Sequence, residues 1–113
     1  VKDLGFEKPT PIQVKTIPLL LSSSRDLIAL AQTGTGKTAA FGLPALQLTM
    51  IEEKSPQTII LCPTRELCLQ IARDLSTYSK YMKGISVVAV YGGSSIDTQI
   101  RALNKGAQIV VGT

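Results

Sequence analysis

An α/β fold, a parallel sheet with flanking helices, is predicted by three features of the chain. Four short apolar runs rich in β-branched residues recur along it: DLIALA (26–31), TIILC (58–62), ISVVAVY (85–91) and AQIVVGT (107–113). Stretches with apolar residues three and four apart lie between them, and the connections are short. Near-continuous apolar runs predict strands buried on both faces. Strand–helix–strand alternation predicts right-handed crossovers into one parallel sheet.

Each element has its local reason. Thr10 caps a first helix that opens with Pro11 and runs to about residue 21. A second helix is predicted from Gly36 to about residue 53, kinked at Pro44. A third begins after Thr64, with Leu67, Ile71, Leu75, Tyr78 and Met82 on one buried face and Gly84 as its C-terminal cap. The fourth spans about 95–105, with Ile96, Ile100 and Leu103 inward and Gly106 ending it. No internal repeat, low-complexity tract or linker interrupts the series.

The 113 residues allow one domain at most. With 44% hydrophobic and 18% charged residues, the composition is that of a folded chain and not a disordered one. No apolar run approaches the roughly 18–20 residues of a membrane span, so no membrane partner is expected. The chain opens VKDLGFEKPTPIQ, without an apolar signal segment or an initiator Met, which predicts that it begins partway through a longer protein. Net charge is +4, suited to a polyanionic partner. Cys62 and Cys68 stand alone with no His anywhere, so neither a zinc site nor a disulfide is predicted, but two reduced thiols in a cytoplasmic protein.

The stretch AQTGTGKT (31–38) fits the phosphate-loop pattern G-x-x-x-x-G-K-[ST] except that Ala31 replaces the first Gly. It leaves a predicted strand and enters a predicted helix, the context that the pattern requires. Gly34 and Gly36 let the backbone curl so that the amides of Gln32, Thr33, Gly34, Thr35 and Gly36 face phosphate oxygens. The helix N-terminus adds positive potential there. Lys37 would reach the β- and γ-phosphates, and the Thr38 hydroxyl would ligate Mg²⁺. The bland alternative is a Gly-rich turn with a surface lysine. Ala31 implies only that its position does not need a positive φ.

Three further stretches accompany this loop: GFEKPTPIQ (5–13), PTREL (63–67) and the pair Gly92–Gly93, each of the last two after a predicted strand. In order and spacing, the four together resemble the Q motif, motif I, motif Ia and GG element of DEAD-box RNA helicases, over essentially the whole chain. The resemblance implies a partial RecA-like phosphate-loop NTPase domain across residues 1–113, ending before the Asp-Glu-Ala-Asp motif. It implies ATP and Mg²⁺ as cofactors and RNA as partner. Cys68 departs from the Ala that usually follows this stretch, and a change in packing only is expected.

A Gln amide can match the N6 donor and N7 acceptor of adenine together, whereas guanine leaves one acceptor unmatched at a cost of roughly 1–3 kcal/mol. In the family, the residue matching Gln13 makes this contact and the aromatic matching Phe6 stacks on the base. Otherwise Gln13 reads as a solvated helix residue and Phe6 as core. PTREL sets Thr64 and the following amides at a helix N-terminus, a seat for a phosphate, with Arg65 beside it; simple capping by Thr64 is the plainer reading. The resemblance turns Pro63, Thr64 and Arg65 into contacts of the RNA sugar-phosphate backbone. Gly92 and Gly93 become a place where RNA approaches main chain, and Thr113 opens the family's next RNA-binding element. Five scattered aromatics form no stacking platform for bases, in keeping with binding that ignores sequence.

The chain holds no Asp-Glu-Ala-Asp run, no Ser-Ala-Thr element and no second RecA-like domain with its arginine finger. Phosphoryl transfer needs metal-holding carboxylates, a positioned water and positive charge on the transition state. An ATP-dependent RNA helicase is therefore expected of the parent protein, and no appreciable hydrolysis of these 113 residues alone. The family topology would also leave the strand at 26–31 without neighbours. A non-helicase phosphate-loop protein is the alternative.

Overall fold

The computed structural model describes residues 8–31 and 36–113 and divides into two compact units, Val1–Leu48 and Thr49–Thr113. The first unit holds helices α1 (Pro11–Ser22) and α2 (Lys37–Leu48), which pack on each other. Pro11 occupies the first turn of α1, where its missing N–H costs nothing. Thr10 precedes it in extended conformation, but the capping box is only half closed. The Gln13 amide oxygen accepts from the Thr10 N–H at 3.1 Å, while Thr10 Oγ1 makes no bond.

The apolar run 26–31 is not a strand. It enters no ladder, and Ile28 and Leu30 are each 92% exposed. A run with strand propensity becomes a strand only when another backbone offers the other half of its hydrogen bonds, and among the described residues none pairs with it. Helix α2 stops at Leu48, short of the expected residue 53. The Gln57 side chain binds both the N–H and the C=O of Met50, at 2.9 and 2.8 Å, and so folds that segment into a turn.

The second unit is built on β1 (Thr58–Leu61), β2 (Val87–Val90) and β3 (Ile109–Gly112) with α3 (Arg65–Tyr78) and α4 (Ile96–Asn104) between them. All pairings are parallel and the order is β1-β3-β2, so the last strand in sequence is the middle one. Ile109 and Val111 are fully buried, together with Cys68 and Leu75 of α3.

Several details correct the sequence expectations. Strand β1 is not covered on both faces: Ile59 and Leu61 are 68% and 77% exposed, and only their alternates Thr58 and Ile60 are half-buried. The buried face of α3 is Cys68, Ile71 and Leu75, one step in phase from Leu67, which is exposed. Met82 lies past the end of that helix, which is capped at Ser79; Gly84, with φ +95°, belongs to the following turn. Of the three α4 residues expected inward, Ile96 and Ile100 are exposed and Leu103 is half-buried. Gly106 does end that helix, at φ +102°.

Polar bonding at the amino ends of the strands converges on Gln108, which has no exposed surface. Its Oε1 accepts from the Ser86 N–H at 2.8 Å, and its Nε2 donates to the carbonyls of Ile51 and Gly84 at 3.0 and 2.8 Å. Three segments are thereby tied through one amide.

Candidate functional site

In the first unit, α2 begins at Lys37 directly after Gly36, whose φ is +82°. A Cβ at that position would stand 2.5 Å from Gln13 Nε2 and 3.0 Å from Thr10 Oγ1. Backbone conformation and space thus both demand glycine. Gln13 is 8% exposed, and its Nε2 donates to the Gly36 carbonyl at 3.3 Å. With Oε1 held by Thr10, one amide ties the start of α1 to the residue that opens α2. Among the described residues, nothing takes up the one further hydrogen-bonding valence at each end of that amide.

Lys37 is exposed and Thr38 half-buried, both in the first turn of α2, where free amides and the helix dipole favour an anion. Ala31 is half-buried, and no described non-glycine residue has positive φ, so alanine there is unstrained. The remaining nucleotide candidates, Phe6, Gln32, Thr33, Gly34 and Thr35, lie outside the described residues. A cavity of about 650 Å³ is lined mostly by apolar side chains of α1, α2 and residues 27–31. Lys37 reaches it, and among the described residues neither Gln13 nor Thr38 lines it.

In the second unit, the candidates gather at one end of the sheet. Pro63, Thr64 and Arg65 follow β1, Gly92 and Gly93 follow β2, and Thr113 follows β3; all six are exposed. Open parallel sheets bind ligands outside the carboxyl ends of their strands. The order β1-β3-β2 sets Thr113 between the other two loops. Its N–H donates to the Val90 carbonyl at 3.2 Å, and the Cys62 N–H donates to Gly112 at 2.9 Å, fastening the loop roots to the central strand.

Thr64 does cap α3: its Oγ1 accepts from the Leu67 N–H at 3.2 Å and its carbonyl from Cys68 at 3.0 Å. The amides of Arg65 and Glu66 are left open at the helix N-terminus. The Arg65 guanidinium lies over the Tyr91 ring, 5.5 Å from its centroid. Gly93 has φ +84°, and a Cβ on it would come 3.3 Å from Arg65 Nη1. At Gly92 an added Cβ would meet nothing within 4 Å, so the chain itself gives no reason for a glycine there.

Sequence reasoning passed over Tyr91 and Gln99. The Gln99 side chain of α4 donates from Nε2 to the Tyr91 carbonyl at 2.9 Å. The only signal was position, since Tyr91 directly precedes the glycine pair. Cys68 is buried against the sheet, with Sγ donating to the Val111 carbonyl at 3.2 Å. Burial pushes its pKa up, and neighbouring Cys62 adds to the shift. Both cysteines are free. Among the described residues no cluster of His, Cys, Asp or Glu could hold a metal by itself, and no helix is long and apolar enough to cross a membrane.

The profile of the DEAD/DEAH box helicase family matches residues 10–113. The chain is 56% identical over 113 residues to the ATP-dependent RNA helicase DeaD of Escherichia coli K12, spanning 18% of that protein. It is 50% identical to the protein of the same name from Mycobacterium tuberculosis H37Rv, spanning 20% of it. Among solved structures, the RNA helicase Prp28 of Chaetomium thermophilum bound to ADP superposes with TM-score 0.87 at 43% identity, over 100% of this chain and 28% of that one. A DEAD box protein from Methanococcus jannaschii gives TM-score 0.87 at 44% identity, over 99% of this chain and 30% of that one. The chain thus spans about a fifth of the length of the curated relatives it matches.

Proposed function

The chain belongs to the DEAD/DEAH box helicase family, and from that premise we propose that it supplies the ATP-binding and RNA-backbone-binding part of an ATP-dependent RNA helicase. The family match over residues 10–113 sets aside the alternative of a non-helicase phosphate-loop protein. The observation that carries the proposal is the convergence of Pro63, Thr64, Arg65, Gly92, Gly93 and Thr113 at the carboxyl ends of three adjacent parallel strands. A bare Gly92, open amides at the head of α3 and an exposed Arg65 suit a passing phosphodiester chain better than a base edge.

The nucleotide end of the proposal rests on Gly36, Lys37 and Thr38. Gly36 keeps a space that a Cβ would fill, Lys37 offers a positive charge at the head of α2, and the Thr38 hydroxyl would hold Mg²⁺. When bound, ATP would supply the phosphoryl-transfer free energy for strand separation, and Mg²⁺ would neutralise charge on its phosphates. Gln13 and Phe6 would hold adenine, with Gln13 using the valences left beside Thr10 and Gly36. Ala31 to Thr35 would complete the phosphate cradle. These 113 residues hold no Asp-Glu-Ala-Asp run, so turnover requires the rest of a helicase core, its Ser-Ala-Thr element and second RecA-like domain included. The domain is then an incomplete RecA-like one, in a cytoplasmic protein whose Cys62 and Cys68 stay reduced.

Titration with a fluorescent ADP, competed by ATP and then GTP, tests the nucleotide end. Adenine-selective binding lost in Lys37→Ala, with selectivity erased in Gln13→Ala, is expected. Equal competition by GTP in the unaltered chain would remove the adenine role of Gln13. Undiminished binding by Lys37→Ala would remove the phosphate loop.

A further inference from the structure

We propose that Tyr91 is a positioning residue that holds the Arg65 guanidinium toward an RNA phosphate; this rests on the reading that Arg65 meets the RNA backbone. Arg65 sits on the exposed first turn of α3, and no carboxylate among the described residues pairs with it. An unrestrained arginine there would sample many rotamers, and ordering it on binding would weaken the complex. The Tyr91 ring restrains it from one side, with the guanidinium carbon 5.5 Å from the ring centroid. Gly93 bounds it on another, since even a methyl group at that position would press on Nη1 at 3.3 Å.

An aromatic face attracts a cation without consuming a hydrogen-bond donor, so the N–H groups of the fork remain available to a phosphate. The main chain that carries the ring is held in turn, since Gln99 Nε2 donates to the Tyr91 carbonyl at 2.9 Å. The turn after β2 thus meets the guanidinium carried on the head of α3, and α4 holds the main chain of that turn. The two RNA-facing loops share a part, and Tyr91 joins them without touching RNA itself.

Anisotropy of a fluorescein-labelled single-stranded oligouridylate, over a KCl series, tests this on the 113-residue chain. Arg65→Ala should weaken binding about tenfold and lower the salt slope by about one. Tyr91→Leu should weaken it roughly two- to fivefold with the slope unchanged, and Tyr91→Phe should restore it. In the Arg65→Ala background Tyr91→Leu should cost nothing more. Should Tyr91→Leu unfold by circular dichroism, Gln99→Leu carries the same test, again with no loss once Arg65 is absent. Wild-type binding by a folded Tyr91→Leu, or a loss that persists without Arg65, overturns the positioning role and leaves the RNA reading standing. A loss in Tyr91→Phe equal to that in Tyr91→Leu assigns the effect to the hydroxyl and also overturns it. Undiminished binding by Arg65→Ala overturns both.

Discussion

Gln13 donates from Nε2 to the carbonyl of Gly36 at 3.3 Å, joining the first turn of α1 to the residue that opens α2 across 23 positions of chain. The amide thus aligns the loop's end before any nucleotide arrives. Its other end, held by the Thr10 N–H, fixes which way the amide faces.

Gly36→Ala tests that arrangement most directly. The substitution forces a side chain into left-handed φ, at about 1–2 kcal/mol, and drives its Cβ against Gln13. Urea denaturation should show at least this loss, and fluorescent ADP binding should fall with it. An unchanged midpoint would mean that the Gly36 conformation is not required.

Thr10→Val should raise stability, by up to about 1 kcal/mol. Thr10 Oγ1 is buried without a partner, so replacing the hydroxyl by a methyl group removes a desolvated oxygen and keeps the shape. The bond from the Thr10 N–H to Gln13 Oε1 uses only the main chain of residue 10 and survives. A fall in the urea midpoint would show that the hydroxyl is bonded in solution.

Gln108→Leu should cost about 2–4 kcal/mol despite its favourable hydropathy. It leaves the half-buried Ser86 N–H and Ile51 carbonyl without their partner, while the exposed Gly84 carbonyl keeps its bond from Lys54 Nζ at 2.8 Å. Hydrogen exchange should quicken first at Ser86. Equal stability of the variant would mean that water replaces the amide.

Cys68 gives a pH signature. Burial raises its pKa above the ordinary 9.0, so the folded chain keeps a proton that the unfolded chain releases. The stability contributed by the neutral thiol is complete below pH 9 and is lost as pH rises through the folded value. Cys68→Ala should therefore be less stable than wild type at pH 7, by about 1 kcal/mol, and the gap should narrow as pH rises past 9. A gap independent of pH would mean that the thiol titrates normally. The same burial should protect Cys68 from alkylation until the chain unfolds.

Much of this was legible in the sequence, and the remainder was not for physical reasons. Apolar runs found the three strands, and Thr10, Thr64 and Ser95 marked the helix starts, because those signals are local. The run at 26–31 carries the same composition yet forms no strand, since a strand is a relation between two backbones. The spacing of Ile96 and Ile100 announced an apolar face of α4, but spacing does not say what covers a face, and here both are exposed. Gln108 was hidden inside an apolar run, although a polar residue there is itself a sign of buried bonding. Gly36 and Lys37 were found by pattern, whereas the contact of Arg65 with Tyr91 depends on two loops that only the strand order brings together.

That strand order also fixes a timetable. Because β3 lies between β1 and β2, neither of the earlier strands can pair with anything in this sheet until residues 109–112 exist. About fifty residues separate the end of β1 from the end of β3. At 5–20 residues per second, a ribosome holds β1 unpaired for roughly 3–10 s. During that interval Ile59 and Leu61, apolar and outward even in the finished fold, sit on a nascent chain with no ladder to occupy its backbone. The four residues of β3 act as the zip of the three strands, since both pairings of β1 and β2 pass through them.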